Sequence, residues 1–527
     1  RVRHVSTHAG GVGIVDTTIC DYMPMKLGEN GEHVIQVDKI MVEEIGIIKF
    51  DILGLNTLII LDGVKKRLGL NDWDLDPNNP KFLHDKKMFE LLQSGKTNNV
   101  FQVESQGMKD LLIRLHPTSL EDISAVLALY RPDTMSYLED YIYYKHHENE
   151  VKYIHEDIKP ILKTTNGQMI YQEQLMDIVR QFGGRTYGGA DKFRKGIGKK
   201  DPKLVQQESD KLYKEIKQNN YSEELAKNIS DELRLKGGYM FNKSHSALYA
   251  VITLQTAYLK AHYPVEFYCE VFNACGDNGK LNKYLVEAQE LGIKVLPPHI
   301  NKSDYKFDVD GKNILFGLSS INKVGETVVQ NIIEERNRNG KFSGLDDFLN
   351  RISCNVAQGV MLIKSGALPT QNKKNMLLRY ANRYYQSGKE YKPYSDVKSL
   401  PTLIELKTKW NIDTDKIKDK EERLRLYNKK RKIEHETTKY QEWLTQQKLS
   451  QEKAIEEFKE KYMQNENFWE FEALTIFISN NPFSDIVQYN NENFYECESG
   501  DECVIIGIIS KIQKKKDRHK RDYAFSH

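Results

Sequence analysis

Several things are scarce in this 527-residue sequence, and each absence closes off a class of protein. Its six cysteines (Cys20, Cys269, Cys275, Cys354, Cys497 and Cys503) are scattered and form no CxxC pair, so neither a disulfide framework nor a zinc site is expected. The 14 histidines show no metal-ligand spacing, and His146-His147 falls in a charged stretch. No apolar run reaches the ~18 residues of a membrane span, so no membrane partner is expected. No signal-like segment opens the chain, which points to the cytoplasm. The first residue is Arg1 rather than Met, so the natural N-terminus is expected upstream. Net charge is only +2, although local basic clusters stand out, and these matter more than the sum for binding polyanions.

With 29% charged and 39% hydrophobic residues, the composition is that of a soluble globular chain. It is too long for one core, and several domains are expected. The stretch Ile47-Ile48-Lys49-Phe50-Asp51-Ile52-Leu53, ended by Gly54, is β-branched or aromatic at most positions and reads as a buried strand. Alternation puts Lys49 and Asp51 on one face and turns Ile48, Phe50 and Ile52 the other way, into a core. Two chemistries fit the charged pair. One is a carboxylate holding a divalent metal beside an ammonium holding a phosphate; the other is an ordinary surface ion pair.

Around that strand, residues 1–56 alternate short strands with loops. Gly10-Gly11 leads into Val12 to Val15, as a tight turn or as a close approach of backbone to another group. His33 to Val37 forms a second strand, and Asn56 caps a helix from Thr57. The pattern is helical from about 57 to 300. Asp85 caps Lys86 to Leu92, Ser105 opens a helix to Leu115, and Thr118 with Glu121 has capping-box spacing for Ser119 to Tyr130. Ser246 to His262 has little polar face and reads as a central buried helix closed by Pro264.

Two helical-region stretches look chemical. Lys192, Arg194, Lys195, Lys199 and Lys200 fall within nine positions flanked by glycines, with Asp191 the sole acid. Lys192, Lys195 and Lys199 are spaced to share one helical face. Such a cluster suits a triphosphate or a nucleic-acid backbone, or else a solvated surface helix. In Phe241-Asn242-Lys243-Ser244-His245-Ser246, a serine is the expected helix cap; Asn242, Lys243 and His245 equally suit phosphate contacts.

Further on, Ile314 to Leu318 reads as a strand. Ile321-Asn322-Lys323-Val324-Gly325-Glu326 then opens a helix, which is the plan of a DNA-gripping helix-hairpin-helix or of plain helix packing. Leu362 to Leu368 offers a second hairpin. Residues 371–468 are lysine-rich with interspersed Tyr and Trp, and 415–464 reads as long solvated helices, an arm. A strand at 503–510, a basic turn and a second strand from Tyr523 end the chain, which is expected to be cut short there, because a hairpin alone is not a stable domain.

Taken together, the strings HAGGVGI (8–14), IIKFDILGLNTL (47–58), VFQVESQGMKDLL (100–112), ALYRP (128–132), YQEQLMDIV (171–179), GGADKFRKGIGKKDP (188–202), FNKSHSALYA (241–250) and LPPHIN (296–301) resemble, in order, the C-family replicative polymerases, the alpha subunits of bacterial DNA polymerase III. The resemblance covers residues 1 to about 370, and more weakly 471–483 and 503–527. It implies an α+β multidomain fold. Residues 1–56 would be the second part of a nucleotidyltransferase-like palm and 57–300 large helical fingers. Residues 301–370 would be a tandem helix-hairpin-helix, 371–468 a charged linker or arm, and 469–527 a connector with the start of an OB-fold.

The implied reaction is template-directed addition of a deoxynucleotide to a primer 3′-OH, with two Mg2+ ions. Asp51 corresponds to the third of the family's three metal-binding aspartates, and Lys49 to a lysine near the nucleotide's phosphates. Arg194 matches the first arginine of a triphosphate-holding pair; Lys195 stands in place of the second and lacks its planar fork. Lys192 and Lys199 join them as nucleotide contacts. Arg131, Asn242, Lys243 and His245 fall along the template and nucleotide path, with Asp133 where the family has glycine. Lys323 and Gly325 belong to the first DNA-binding hairpin. The family's first two aspartates, the first half of its palm and its thumb have no counterpart here, and no clamp-binding peptide is recognisable between 371 and 470. The expected partners are therefore primer-template DNA, dNTP, an N-terminal remainder of the polymerase, the sliding clamp and other replisome subunits, in a nucleoid-associated setting. A non-catalytic DNA-binding replisome scaffold and an error-prone member of the same family are the alternatives.

Overall fold

The computed structural model describes residues 10–28, 31–52, 54–198, 201–276, 278–370, 372–386, 391–392, 394–478, 512–516 and 522–526. The chain divides into two compact units, Arg1–Ala274 and Cys275–His527.

The first unit begins with two small antiparallel ribbons. Gly11–Ile14 pairs with Ile48–Asp51, and Met25–Leu27 with His33–Ile35. Met23, Val42 and Ile47 form a small core beside them, with Val15, Ile35 and Val37 packed against it. The strand bearing Lys49 and Asp51 is not buried as its composition suggests: Ile48 is 61% exposed and Phe50 52%. Their face meets cross-strand Ile14 and Val12, which are also exposed. A two-stranded ribbon has two faces, and this small core covers only one of them.

Helices fill the rest of the unit. Asn56–Leu68 has Leu55, not Asn56, at its N-cap. Asp85 caps Lys86–Gln93 through the Met88 amide, as expected. Leu120–Leu129 is opened by a Ser119–Asp122 capping box, one residue later than the Thr118–Glu121 spacing. Asp122 explains the shift: it also accepts from the Thr118 amide, the Tyr141 hydroxyl and the Lys145 ammonium, so it is already committed to that place. The central helix, Lys243–His262, starts three residues earlier than expected and is capped by Asn242 rather than by a serine. It buries Ala250, Leu254, Ala257 and Leu259. Four helices, Gln172–Gly183, Tyr187–Gly198, Pro202–Gln218 and Glu223–Lys236, share a second core built on Leu175, Phe182, Phe193, Ile197, Leu212 and Ile229.

In the second unit Val295–Leu296, Asn313–Leu315 and Asp308–Asp310 make a three-stranded sheet with Asn313–Leu315 in the middle. The helices Glu326–Asn339, Leu345–Arg351, Val356–Lys364 and Lys373–Tyr384 follow. The expected arm is helical: Lys420–Glu434 runs through a π-helical turn, His435–Lys439, into Tyr440–Tyr462. Ile512–Lys516 and Asp522–Ser526 pair as an antiparallel hairpin. The strand expected at 503–510, and Lys199 and Lys200, lie outside the described residues.

Candidate functional site

On the first ribbon the register decides what surrounds the charged pair. Gly11 faces Asp51 and Gly13 faces Lys49, while Val12 and Ile14 face Phe50 and Ile48. The Lys49 Nζ lies 3.1 Å from Asp51 Oδ1, so alternation does put the two on one face. Because both cross-strand partners are glycines, no Cβ stands directly opposite either side chain; the Lys49 side chain is 23% exposed and that of Asp51 44%. Gly10 closes the ribbon: its carbonyl accepts from the Ile52 amide at 2.8 Å, and a Cβ at Gly10 would sit 2.0 Å from the Ile52 oxygen. Among the described residues no three His, Cys, Asp or Glu side chains gather as a metal site. Asp51 could supply one of the several oxygen ligands that a magnesium ion wants, and so part of such a site.

Several cations of the helical region meet at a short backbone crossing. Tyr171 and Phe241 form an isolated parallel bridge, the Gln172 amide donating to the Phe241 carbonyl (2.8 Å) and the Phe241 amide to the Ile170 carbonyl (2.9 Å). Arg131 reaches this crossing from the end of Leu120–Leu129. Its Nη2 donates to the Tyr239 carbonyl and its Nε to the Ala128 carbonyl, both at 2.8 Å, and its guanidinium lies over the Phe241 ring. Glu173 accepts from the Lys243 amide (2.9 Å) and from Asn242 Nδ2 (3.2 Å), placing a carboxylate at the positive end of the central helix. The Lys243 ammonium sits over the Tyr171 ring. His245 is sandwiched between Phe241 and Tyr249, with its amide donating to the Asn242 cap.

Beneath the crossing lies a buried hydroxyl chain. Tyr171 donates to Ser124 Oγ (3.0 Å), Ser124 and Ser246 share a bond of 2.9 Å, and Ser246 Oγ donates to the Lys243 carbonyl (3.1 Å). Burial pushes the Tyr171 phenol up to about 12, so it remains a donor at neutral pH. This chain fixes the first turn of the central helix, and with it Lys243 and His245.

Tyr187–Gly198 brings the remaining cations. Arg194 Nη1 donates to Gln172 Oε1 (3.2 Å), while its Nε and Nη2 lie 2.9 and 2.8 Å from Asp191 Oδ1. Lys195 Nζ lies 2.9 Å from Asp191 Oδ2. The bonds from Lys195 and then Arg194 hold the Asp191 carboxyl below the usual range. Lys192 is exposed on the same helix. The fold thus sets these residues about the Tyr171–Phe241 crossing: Gln172 holds Arg194, Glu173 holds Asn242 and the Lys243 amide, and Arg131 and His245 lie against Phe241. Gln172 and Glu173 carry no local signal in the sequence beyond their place in the YQEQ string.

In the second unit the first hairpin turns at Lys323, whose φ is +63°, and Gly325 is the N-cap of Glu326–Asn339 without a side-chain cap bond. The first amides of that helix have no intrahelical acceptors and are suited to an anion. Asn322 anchors the turn, its amide donating to the Ala473 carbonyl and its Nδ2 to the Glu472 carbonyl, each at 2.8 Å. The second hairpin turns at Gly366, φ +83°. Its Lys364 is turned inward: the side chain is 2% exposed and bonds Glu472 at 2.5 Å.

Residues 57–220 match the family model of the bacterial DNA polymerase III alpha subunit finger domain, 1–54 that of the bacterial DNA polymerase III alpha NTPase domain, and 292–376 that of a helix-hairpin-helix motif. The chain is 39% identical over 394 residues to the DNA polymerase III subunit alpha of Aquifex aeolicus, covering 72% of this chain and 33% of that protein. To that of Thermus aquaticus it is 40% identical over 390 residues, covering 71% and 32%. To that of Buchnera aphidicola it is 33% identical over 535 residues, covering 98% and 44%. The chain spans about a third of the length of the first two relatives and less than half of the third.

Proposed function

Because the chain belongs to the family of bacterial DNA polymerase III alpha subunits, we propose that it supplies the nucleotide- and DNA-holding part of a replicative DNA polymerase, which adds deoxynucleotides to a primer 3′-OH under template direction. Residues 1–56 are read as the second part of the palm, 57–300 as the fingers, 301–370 as the DNA-holding hairpins and 469–527 as a connector leading into an OB-fold. Arg194, Lys195, Lys192 and Lys199 would neutralise the triphosphate, with Lys49 beside the reacting phosphate. Arg131, Asn242, Lys243 and His245 would line the path of template and nucleotide. Lys323 and the amides after Gly325 would grip the duplex backbone without reading its sequence.

The observation that carries this reading is the meeting of Arg131, Arg194 and Lys243 at one backbone crossing, from three segments far apart in sequence. Arg131 lies over the Phe241 ring, Arg194 bonds Gln172 and the Lys243 ammonium lies over the Tyr171 ring, a convergence that a solvated surface would not need. Asp51 would be one magnesium ligand, completed by carboxylates from an N-terminal palm remainder. The two metals would supply charge stabilisation at the transferred phosphate. Lys49 would orient a phosphate oxygen, and the glycine-lined face would admit it.

Primer extension tests the reading. The 527-residue chain alone is expected to be inactive, and to extend primers once the N-terminal half of a relative's palm is added. Asp51→Ala and Arg194→Ala should each abolish or cut that activity by orders of magnitude. Normal extension by the complemented Asp51→Ala protein would remove Asp51 from the site. Duplex binding with no extension under any complementation would leave the scaffold role.

A further inference from the structure

Arg194 and Lys195 are not free to meet a phosphate, since one carboxylate already occupies both. Asp191 gives Oδ1 to the Arg194 fork and Oδ2 to the Lys195 ammonium, with distances of 2.8 to 2.9 Å. Two oxygens of one anion bridging a guanidinium and an ammonium reproduce the geometry that two non-bridging oxygens of a phosphate would offer. Gln172, from a different helix, holds the third corner of the same guanidinium at 3.2 Å. The fork is therefore fixed from two sides, and its remaining N–H groups have a set direction. The Lys195 side chain is 65% exposed and is the partner that can swing away.

We propose that Asp191 is a positioning residue that stands in for a phosphate: it holds Arg194 and Lys195 in register before an anion arrives and competes with that anion for them afterwards. The inference rests on the reading of Arg194 and Lys195 as phosphate-neutralising groups. It follows that this chain binds pyrophosphate more weakly than its cations would allow, which favours release of that product after each addition.

The test is calorimetric titration of the 527-residue chain with inorganic pyrophosphate at several salt concentrations. Asp191→Asn removes the charge and keeps one acceptor oxygen, enough for the Arg194 fork, while its NH2 cannot accept from Lys195; it is expected to tighten pyrophosphate binding roughly three- to tenfold and to steepen its salt dependence. Asp191→Ala removes the scaffold as well and should tighten binding less than the Asn variant. A purely structural aspartate would give the opposite sign, so unchanged or weaker binding by Asp191→Asn overturns the proposal. Arg194→Ala and Lys195→Ala should each weaken binding. If neither does, the phosphate reading of the helix fails, and that failure is distinct from a wrong sign at Asp191 alone.

Discussion

Lys364 carries the most decisive stability prediction. Its side chain is 2% exposed, whereas that of its partner Glu472 is 43% exposed. The ammonium lies over the Trp469 ring, and burial holds it below the usual lysine range, with Glu472 offsetting that in part and Lys323 adding to it. The cost of desolvation therefore falls mostly on the lysine. Breaking a fully buried pair costs about 3–5 kcal/mol. Here the acid is partly solvated and its own burial cost is small, so Glu472→Ala should cost less, about 1–3 kcal/mol, as the penalty of an unpaired buried ammonium. Lys364→Met removes charge and desolvation together at similar volume, and should lie within about 1 kcal/mol of the parent chain or above it. Hydrogen exchange of the Val356–Lys364 amides reads this locally, without assuming that the two units unfold together. If Lys364→Met opens that helix as much as Glu472→Ala does, the lysine contributes through its charge, and the argument from asymmetric burial is wrong.

The remaining predictions test other links. Gly10→Ala places a methyl 2.0 Å from the Ile52 carbonyl oxygen; it should open the ribbon and abolish complemented primer extension while leaving the melting of the finger helices in place. Arg131→Lys keeps the charge but cannot span the Ala128 and Tyr239 carbonyls; a loss of roughly 1.5–3 kcal/mol in local stability is expected, read by exchange at Tyr239–Phe241. Lys323→Ala should weaken duplex binding uniformly across sequences and reduce the salt slope by about 1, while Lys364→Met leaves both unchanged. His299 is held below its usual range by burial and by Lys302, Arg336 and Lys341. Its Nδ1 accepts from the Asn301 amide and so must stay unprotonated. The unfolded chain therefore takes up this proton first: stability is full above about pH 6.5 and falls as the pH drops through the lower folded value, a slope that His299→Gln should abolish.

Helices with short-range caps could be read directly from sequence, because the cap and the turn it satisfies lie within four residues. Asp85 and the start of Lys86–Gln93 are one case. Where two caps compete, long-range partners decide. Thr118–Glu121 and Ser119–Asp122 have the same spacing, and the choice of the second depends on Tyr141 and Lys145, which no local pattern links to Asp122. The same holds at the central helix, where Asn242 wins the cap because Glu173, about seventy residues away, receives its Nδ2 and the next amide. The alternation that paired Lys49 with Asp51 was legible, but the burial of their strand was not. Alternation fixes which residues share a face and says nothing about whether anything covers it.

That difference separates the ribbon from the helical cation cluster. In the helical part of the first unit several groups are already held: Arg131 by two carbonyls, Arg194 by Asp191 and Gln172, and the backbone of Lys243 by Glu173. The buried hydroxyl chain fixes the backbone at Lys243, and on the nucleotide-binding reading a ligand would meet side chains already oriented. At the ribbon, Val12, Ile14, Ile48 and Phe50 form one exposed apolar face behind the Lys49–Asp51 pair. A ribbon with a bare apolar face is only marginally stable by itself. The carboxylate at 51 can therefore be no better positioned than whatever covers that face allows. On the polymerase reading, complementation has to restore the cover as well as the missing carboxylates. Supplying metal to the unaccompanied chain should not order the ribbon, whereas adding the palm half should protect the Ile48–Asp51 amides from exchange even before metal is present.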